Sequence, residues 1–536
     1  MRNNDYRYMR YVGERYFDNR FSTIKEVKDR LKVFDMESLA HEVNTGGTPL
    51  INEGGKVYLD NSDTHTLIIG STGSMKSRAF IMPTIISLGL SGENMVVSDP
   101  KGELFNMTSG FLKSLGYKVN VLNFRNFEQS DCWNPLHEAY KLYEQGNLGE
   151  AKLIINDIAN IFIGDTLEKA QEKFWPMAAR DFISGTLSLL FYTAQSEEEV
   201  HISSLKPFLV RSLAEKGSDL QKEFFNLVSD LPDVSTTKLN LSSSVLNADA
   251  TKRGVLGHVS SAVNAFIQSR DIDSITARNT IDLHQYAEDD LKIITYIIVP
   301  DEKTTFHFFC SLFVKQLYEV LIKEASMKKG LKLKNRVNFI LDEFANIPAI
   351  PEMSNMISAA RSRNIRFFLV LQSDAQLKKK YGEEEAQNIK TNCQIWCFLN
   401  SKELPLIDEV IGYIGVDSQD GNKPLMTPGD ISRLEKKWNY VDSIVIMNRF
   451  RPFISTLCDI STYKIAFKNG EPIYPPVEKV SEAYTPVDFD YEERIGDPYD
   501  DDKHNFLVNL ALKEDPYISK KILDKLGKKD DDFFGF

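Results

Sequence analysis

The stretch His65–Ile85, HTLIIGSTGSMKSRAFIMPTI, limits the possible folds of this chain more than any other. An apolar run leads into Gly70-Ser71-Thr72-Gly73-Ser74-Met75-Lys76-Ser77, and a helix-compatible run follows. Strand, glycine-rich turn and helix in that order make a phosphate-binding loop. Glycines let successive backbone N–H groups wrap a polyphosphate, and the helix that begins there adds its N-terminal partial charge. On this reading Gly70, Ser71, Thr72, Gly73, Ser74, Met75, Lys76 and Ser77 line the nucleotide. Lys76 is placed to reach the β and γ phosphates, and the Ser77 hydroxyl to hold Mg²⁺. The pattern G-x-x-x-x-G-K-[ST] wants glycine where this chain has Met75. A side chain there either tolerates the loop's backbone angles or strains them, at about 1–3 kcal/mol, and its bulk threatens to crowd the nucleotide. A glycine-rich turn with a solvated lysine is the competing interpretation.

The second half of such a site is an acidic pair after an apolar strand, and VNFILDEFANIP, residues 337–348, supplies it. Asp342 can hold Mg²⁺ through water, and Glu343 can orient and deprotonate an attacking water. Gln372 closes the apolar run IRFFLVLQS, where strand ends of an open parallel sheet face the ligand crevice. From there it can sense the γ-phosphate. Arg361 and Arg363 precede that run. One of them can serve as an arginine finger donated across a subunit boundary, or both form a surface pair at a helix end.

Around these motifs the rhythm is that of an α/β fold. Buried strands are expected at Thr66–Ile69, Met95–Ser98, Val119–Asn123, Lys292–Val299, Val337–Leu341, Arg366–Leu371, Gln394–Leu399 and Ser443–Met447, as continuous apolar runs. From about Leu136 to Ala277 the strands stop, and apolar residues recur at helical spacing. An all-α insertion over 137–277 therefore interrupts a parallel-dominated sheet built from 51–136 and 278–470. Residues 1–50 read as a polar, aromatic-rich segment opening on an amphipathic helix. Residues 471–536 read as an acidic, solvated tail with one late helix near Asp515–Leu526.

The net charge of −12 argues against a nucleic-acid binder until it is located: residues 471–536 carry −8 of it, so the remaining chain is near neutral. Lys378-Lys379-Lys380, Arg449 with Arg451, and Lys328, Lys329, Lys332 and Lys334 are candidates for gripping single-stranded DNA through its phosphates. Each is equally a solvated face. The acidic tail either docks basic partners or only solubilises. Five cysteines form no disulfide framework and read as reduced, buried thiols of a cytosolic protein. No window reaches 18 consecutive apolar residues, so no membrane span is expected.

Seven stretches together carry a family resemblance: DTHTLIIGSTGSMKSR, VVSDPKGELF, VLNFRNFEQSDCWNPL, FILDEFANIPAIPEM, ARSRNI, LQSDAQL and LMTPGDISRL. In that order, over roughly residues 58–434, they resemble the TraG/TraD coupling ATPases of bacterial conjugation and type IV secretion. The resemblance implies a RecA-like P-loop NTPase domain interrupted by an all-α domain. It implies a hexamer that uses ATP and Mg²⁺ to recruit single-stranded DNA with its relaxase and pass them to the secretion channel, its ATPase and its membrane components. By motif position it puts Arg361 at the family's finger and Gln372 at its sensor. Asp99, Lys101 and Glu103 match a family signature that carries no evident chemical role. Two departures stand out. Met75 replaces a glycine, which leaves open a docking platform that binds nucleotide but barely hydrolyses it. The family's N-terminal transmembrane pair is absent from this sequence, so the chain is expected at the inner face of the cell membrane, either because the sequence begins after those helices or as a soluble member tethered by a separate anchor protein. A different DNA pump is the third possibility; DPKGE and LMTPGDISRL weigh against it.

Overall fold

The computed structural model describes residues 20–37 and 46–479 apart from 232–234, 246–248, 268–269, 303–305, 417–422 and 449, together with 487 and 490. Three short strands come first: β1 (Lys32–Asp35), β2 (Thr48–Glu53) and β3 (Lys56–Asp60), antiparallel in the order β1-β3-β2. The central sheet follows, from β4 (Thr66–Gly70), β5 (Asn94–Ser98), β6 (Lys118–Asn123), β7 (Ile293–Ile298), β8 (Val337–Leu341), β9 (Ile365–Leu371), β10 (Ile395–Asn400), β11 (Tyr440–Met447) and β12 (Phe453–Cys458). Its order is β12-β11-β10-β4-β9-β8-β5-β7-β6. β10 through β6 run parallel, and β11 and β12 add an antiparallel hairpin at one edge. All eight strands expected from the apolar runs are present, within a few residues of their expected ends.

These strands read as unbroken apolar runs because both faces of the sheet are covered. Side chains alternate between the faces. Leu67 and Ile69 of β4, and Phe339 and Leu341 of β8, enter one apolar cluster. Ile68 and Ile340 enter the other, with the helices Met82–Ser91 and Glu103–Ser114 and the small N-terminal sheet.

Between β6 and β7 the described residues form helices and no strand; the longest are Leu148–Lys169, Phe174–Thr193 and Asp249–Ile267. Their buried residues, such as Ile158, Phe182 and Val259, belong to the same apolar cluster as Leu67 and Phe339 of the sheet. The chain entering and leaving this region is zipped together. Trp133 N donates to Ile275 O (2.8 Å) and Thr280 N to Cys132 O (2.9 Å). Buried Asn134 donates from Nδ2 to Val200 O (2.7 Å) and accepts from Leu136 N (3.0 Å).

His284 adds an electrostatic tie at this junction. Its Nε2 meets Glu138 Oε2 (3.2 Å) and its Nδ1 meets Glu324 Oε1 (2.8 Å), on helices His137–Glu144 and His307–Met327. The hydrogen bond to Glu138, then that to Glu324, raises the imidazole to about 9. A raised histidine stabilises fully below its unfolded value near 6.5, and the contribution is lost as pH climbs through 9. Urea midpoints should therefore fall between pH 6.5 and 9, with a shallower slope in His284→Gln. The ring is 42% exposed, so solvent screening keeps the effect modest.

Three expectations are revised. Residues 1–50 are not uniformly a polar segment. Ile24–Lys28 is one helical turn with a Thr23/Glu26 capping box, Val27, Phe34 and Met36 are buried, and a break at residue 50 divides β2. The antiparallel pairing of β1–β3 brings these residues onto the core; residues 1–19, where the amphipathic helix was expected, lie outside the described residues. The start of the acidic tail is docked, not solvated. Pro475 O sits where a side chain on Gly110 would be, Tyr474 meets the Phe111 ring, and Lys479 pairs with Asp131 (3.0 Å). Residues 491–536, with the expected late helix, and Arg449 lie outside the described residues. Cys132, Cys310, Cys393 and Cys397 are buried free thiols, but Cys458 is only partly buried. Among the described residues no helix is long and apolar enough to cross a membrane.

Candidate functional site

The strand order builds the site. β9 lies between β4 and β8 and is parallel to both, with Ile69 opposite Leu371 and Leu341 opposite Leu369. Neighbouring strands lie about 4.8 Å apart, so the turn after β4, the end of β9 and the acidic pair after β8 finish side by side. Thr72, Gly73, Ser74, Met75, Lys76, Ser77, Asp342, Glu343 and Gln372 line one cavity of about 290 Å³. Segments some 265 residues apart in sequence thus share a wall.

Gln372 bridges them. Thr72 Oγ1 donates to Gln372 Oε1 (2.9 Å), and Gln372 Nε2 donates to Glu343 Oε1. Gly70 leaves room for Ser74: a Cβ there would stand 2.4 Å from Ser74 Oγ and force that side chain to shift. Gly73 has φ +75°. Met75 adopts φ 71°, ψ 19°, the left-handed conformation a glycine would supply, and its side chain packs against the second apolar cluster at the cavity's edge. The loop shape is therefore kept, at a strain of about 1–2 kcal/mol. Lys76 is buried and donates from Nζ to Gly70 O (2.5 Å) and Ser71 O (3.2 Å). The helix that follows opens with a wide turn over Lys76–Ile81, where Met82 N reaches back five residues to Ser77 O.

The turn fits an anion. Ser74 N closes on Ser71 O (3.1 Å), but the amides of Gly73, Met75, Lys76 and Ser77 have no acceptor among the described residues, and the buried Ser74 Oγ has no partner. Opposite stand the carboxyl groups of Asp99, Asp342 and Glu343 on the cavity wall. Burial, then the neighbouring Glu343 and Asp99 charges, push Asp342 up to about 7 against the pull of Lys76. Burial pushes Asp99 up to about 6. Burial lowers Lys76, partly offset by Glu343 and Asp342. Ser77 and Asp342 are the residues that could hold a divalent cation.

The DPKGE segment acquires a structural role. Asp99 Oδ2 accepts from Phe105 N (2.8 Å) at the start of the helix after β5 and, with Lys101 and Glu103, lines the cavity. Glu103 approaches Arg78 (3.8 Å), whose guanidinium makes a two-point contact with Asp459 at the end of β12 (2.6 and 2.7 Å). Nothing in sequence joined Arg78 to Asp459. Lys436 was also missed: it lines the cavity, and its Nζ donates to Gly73 O.

Arg361 is not in this cavity. It precedes β9, at the opposite end of the sheet, about 20 Å away by the rise of seven strand residues. There it pairs with Asp63 (2.9 Å). Arg363 lies on the same turn. The candidate DNA-binding lysines divide likewise. Lys378, after β9, is engaged by Asp374 and Glu383 (3.2 Å each), while Lys328, before β8, is held by Asp289 (2.8 Å).

Residues 22–456 match the family model for type IV secretory system conjugative DNA transfer. The chain is 23% identical over 357 residues to a conjugal transfer protein TraG of Escherichia coli, covering 64% of this chain and 54% of that protein. It is 23% identical over 364 residues to protein VirD4 of Rhizobium radiobacter, covering 67% and 48%. The chain thus spans about half the length of the curated relatives it matches. Among solved structures, plasmid coupling protein TrwB in complex with ADP and Mg²⁺ superposes with a TM-score of 0.58 at 14% identity, covering 85% of this chain and 95% of that one. TrwB with a non-hydrolysable ATP analogue gives 0.57 at 15% identity, covering 86% and 99%. The shared fold is an α/β fold built on a mostly parallel sheet.

Proposed function

This chain belongs to the type IV secretory system conjugative DNA transfer family, and from that premise we propose that it is a coupling ATPase. It binds ATP and Mg²⁺ in the cavity between the Gly70–Ser77 turn and the Asp342–Glu343 pair. It engages single-stranded DNA and delivers a relaxase-bound substrate to the secretion channel and its ATPase. It works at the inner face of the cell membrane, with membrane components or an anchor protein as partners, and as a hexamer. The observation that carries the reading is the meeting of turn and acidic pair in one cavity, joined through Gln372.

In this reading the free amides of the turn and the Lys76 ammonium bind the phosphates. Ser77 and Asp342 would hold Mg²⁺, which would neutralise charge on the phosphates. Glu343, oriented by Gln372, takes the proton of the attacking water. Gln372 contacts turn and base together, which suits it to sense the γ-phosphate. Asp342 near 7 implies that cation binding strengthens as pH rises through neutrality, when the carboxyl ionises.

Steady-state ATP hydrolysis by the full chain, with and without single-stranded DNA, tests this. Turnover should rise with DNA, and Lys76→Ala should reduce it to background; normal turnover by Lys76→Ala refutes the site. The non-glycine Met75 in a left-handed conformation favours one alternative, a platform that binds nucleotide but hydrolyses it weakly. Background turnover in the native chain, unchanged in Met75→Gly, would select the platform.

A further inference from the structure

We propose that Lys436 is a second phosphate-binding cation, which grips the diphosphate portion shared by ATP and ADP. The inference rests on the nucleotide site proposed above and adds a residue to it. Three observations support it.

The first is position. Lys436 lines the same cavity as the phosphate-binding turn, and its ammonium reaches the Gly73 carbonyl at the rim. The charge thus stands at the turn whose Gly73 and Met75 amides have no acceptor among the described residues. A lysine ammonium has three donor hydrogens, so the contact to Gly73 leaves donors for a phosphate oxygen.

The second is support. Lys436 pairs as an isolated bridge with Val441 across the turn Lys437–Tyr440, which closes from Lys437 N to Tyr440 O (2.8 Å). Asp442 N donates to Glu435 O (2.8 Å), and Glu435 N donates to Asp442 Oδ2 (3.1 Å). Thr456 of β12 holds the other Asp442 oxygen (2.7 Å). Asp459 N donates to Asn439 O (2.8 Å), and the Asp459 carboxylate grips Arg78, two residues beyond Lys76. The turn that carries Lys436 is thereby fixed to the helix that follows the phosphate-binding turn.

The third is side. The sheet order puts β11 two strands from β4 on the β10 side, whereas Glu343 and Gln372 end β8 and β9 on the other. The γ-phosphate must face Glu343 for water to attack it. A cation from the β11 side therefore meets the phosphates farther from the attacking water, and its hold on the α-phosphate, which takes no part in the bond that breaks, changes little during hydrolysis. Such uniform binding alters KM and leaves kcat unchanged.

The test uses the full chain with Mg²⁺ and measures ATP and ADP dissociation constants, steady-state kcat and KM, and thermal midpoint for Lys436→Met and Lys436→Arg. Lys436→Met should weaken ATP and ADP alike by roughly tenfold, raise KM by the same factor, and leave kcat within about twofold. Lys436→Arg should recover most of the affinity. The inference is overturned if Lys436→Met binds both nucleotides normally. It is equally overturned if kcat falls as much as affinity, or if Arg fails to rescue, since the lysine then only shapes the loop. Failure of the native chain to bind ATP, or tight binding by Lys76→Ala, would instead remove the nucleotide site itself.

Discussion

Arg361→Ala is expected to cut ATP turnover of the assembled protein by about a thousandfold, while the isolated chain keeps its ATP affinity. The sheet separates the two functions. Phosphates are expected where the parallel strands finish, and Arg361 stands where β9 begins, half-exposed and paired with Asp63 across the loop before β4. No rotamer spans the length of β9, so the guanidinium cannot serve its own subunit's site. A neighbouring subunit that turns its cavity toward that end would receive it. Mixing Arg361→Ala chains with Lys76→Ala chains then pairs some intact cavities with intact fingers, and turnover should partly return. Absence of recovery at every mixing ratio would show that Arg361 is not donated in trans. The neighbouring loop is well anchored. Fully buried Arg366 donates to Ser62 O (2.9 Å), Asn338 Oδ1 (2.8 Å) and Glu93 Oε2 (3.1 Å), which fixes the residue beside Asp63.

Glu343→Gln should lower kcat by roughly 10²–10⁴-fold, the range for loss of a general base, with ATP still bound. The substitution keeps an oxygen to accept from Gln372 Nε2 and removes only basicity and charge. The charge matters to its neighbour, because the Glu343 carboxylate is the second cause, after burial, of the raised Asp342 value. Without it Asp342 should ionise at lower pH, so Mg²⁺-dependent nucleotide binding by the variant should extend to more acidic buffer than in the native chain. Rapid-quench turnover and nucleotide titrations at pH 6 and 8 measure both effects. A variant that hydrolyses ATP normally would deny Glu343 the role of base.

The sequence made the buried parts of this protein readable, because burial leaves a one-dimensional trace. A strand covered on both faces, such as Val337–Leu341, is apolar at every position but one. The phosphate-binding turn and the acidic pair were legible because each follows such a strand. Among the strands that escaped, Phe453–Cys458 alternates buried and exposed residues, and Lys32–Asp35 buries one residue in four. Lys436 escaped for another reason. A single lysine in a charged turn has no periodicity, and only the antiparallel return of β11 carries it to the cavity. The same holds for the pairing of Arg78 with Asp459, 381 residues apart. Met75 is the converse case: the sequence flagged it correctly, but only the backbone angles show that a side chain can occupy the turn without unmaking it.

The amide of Gln372 commits both its ends at once, oxygen toward the threonine hydroxyl and nitrogen toward the carboxylate. Such a group is planar and cannot rotate one end alone. A half-turn would set oxygen against the charged oxygen of Glu343, whereas the hydroxyl, able to give or take a hydrogen, would accept either orientation. The arrangement is therefore one-way: the acid dictates how the amide faces, and the amide in turn leaves the loop hydroxyl a single direction in which to point its proton.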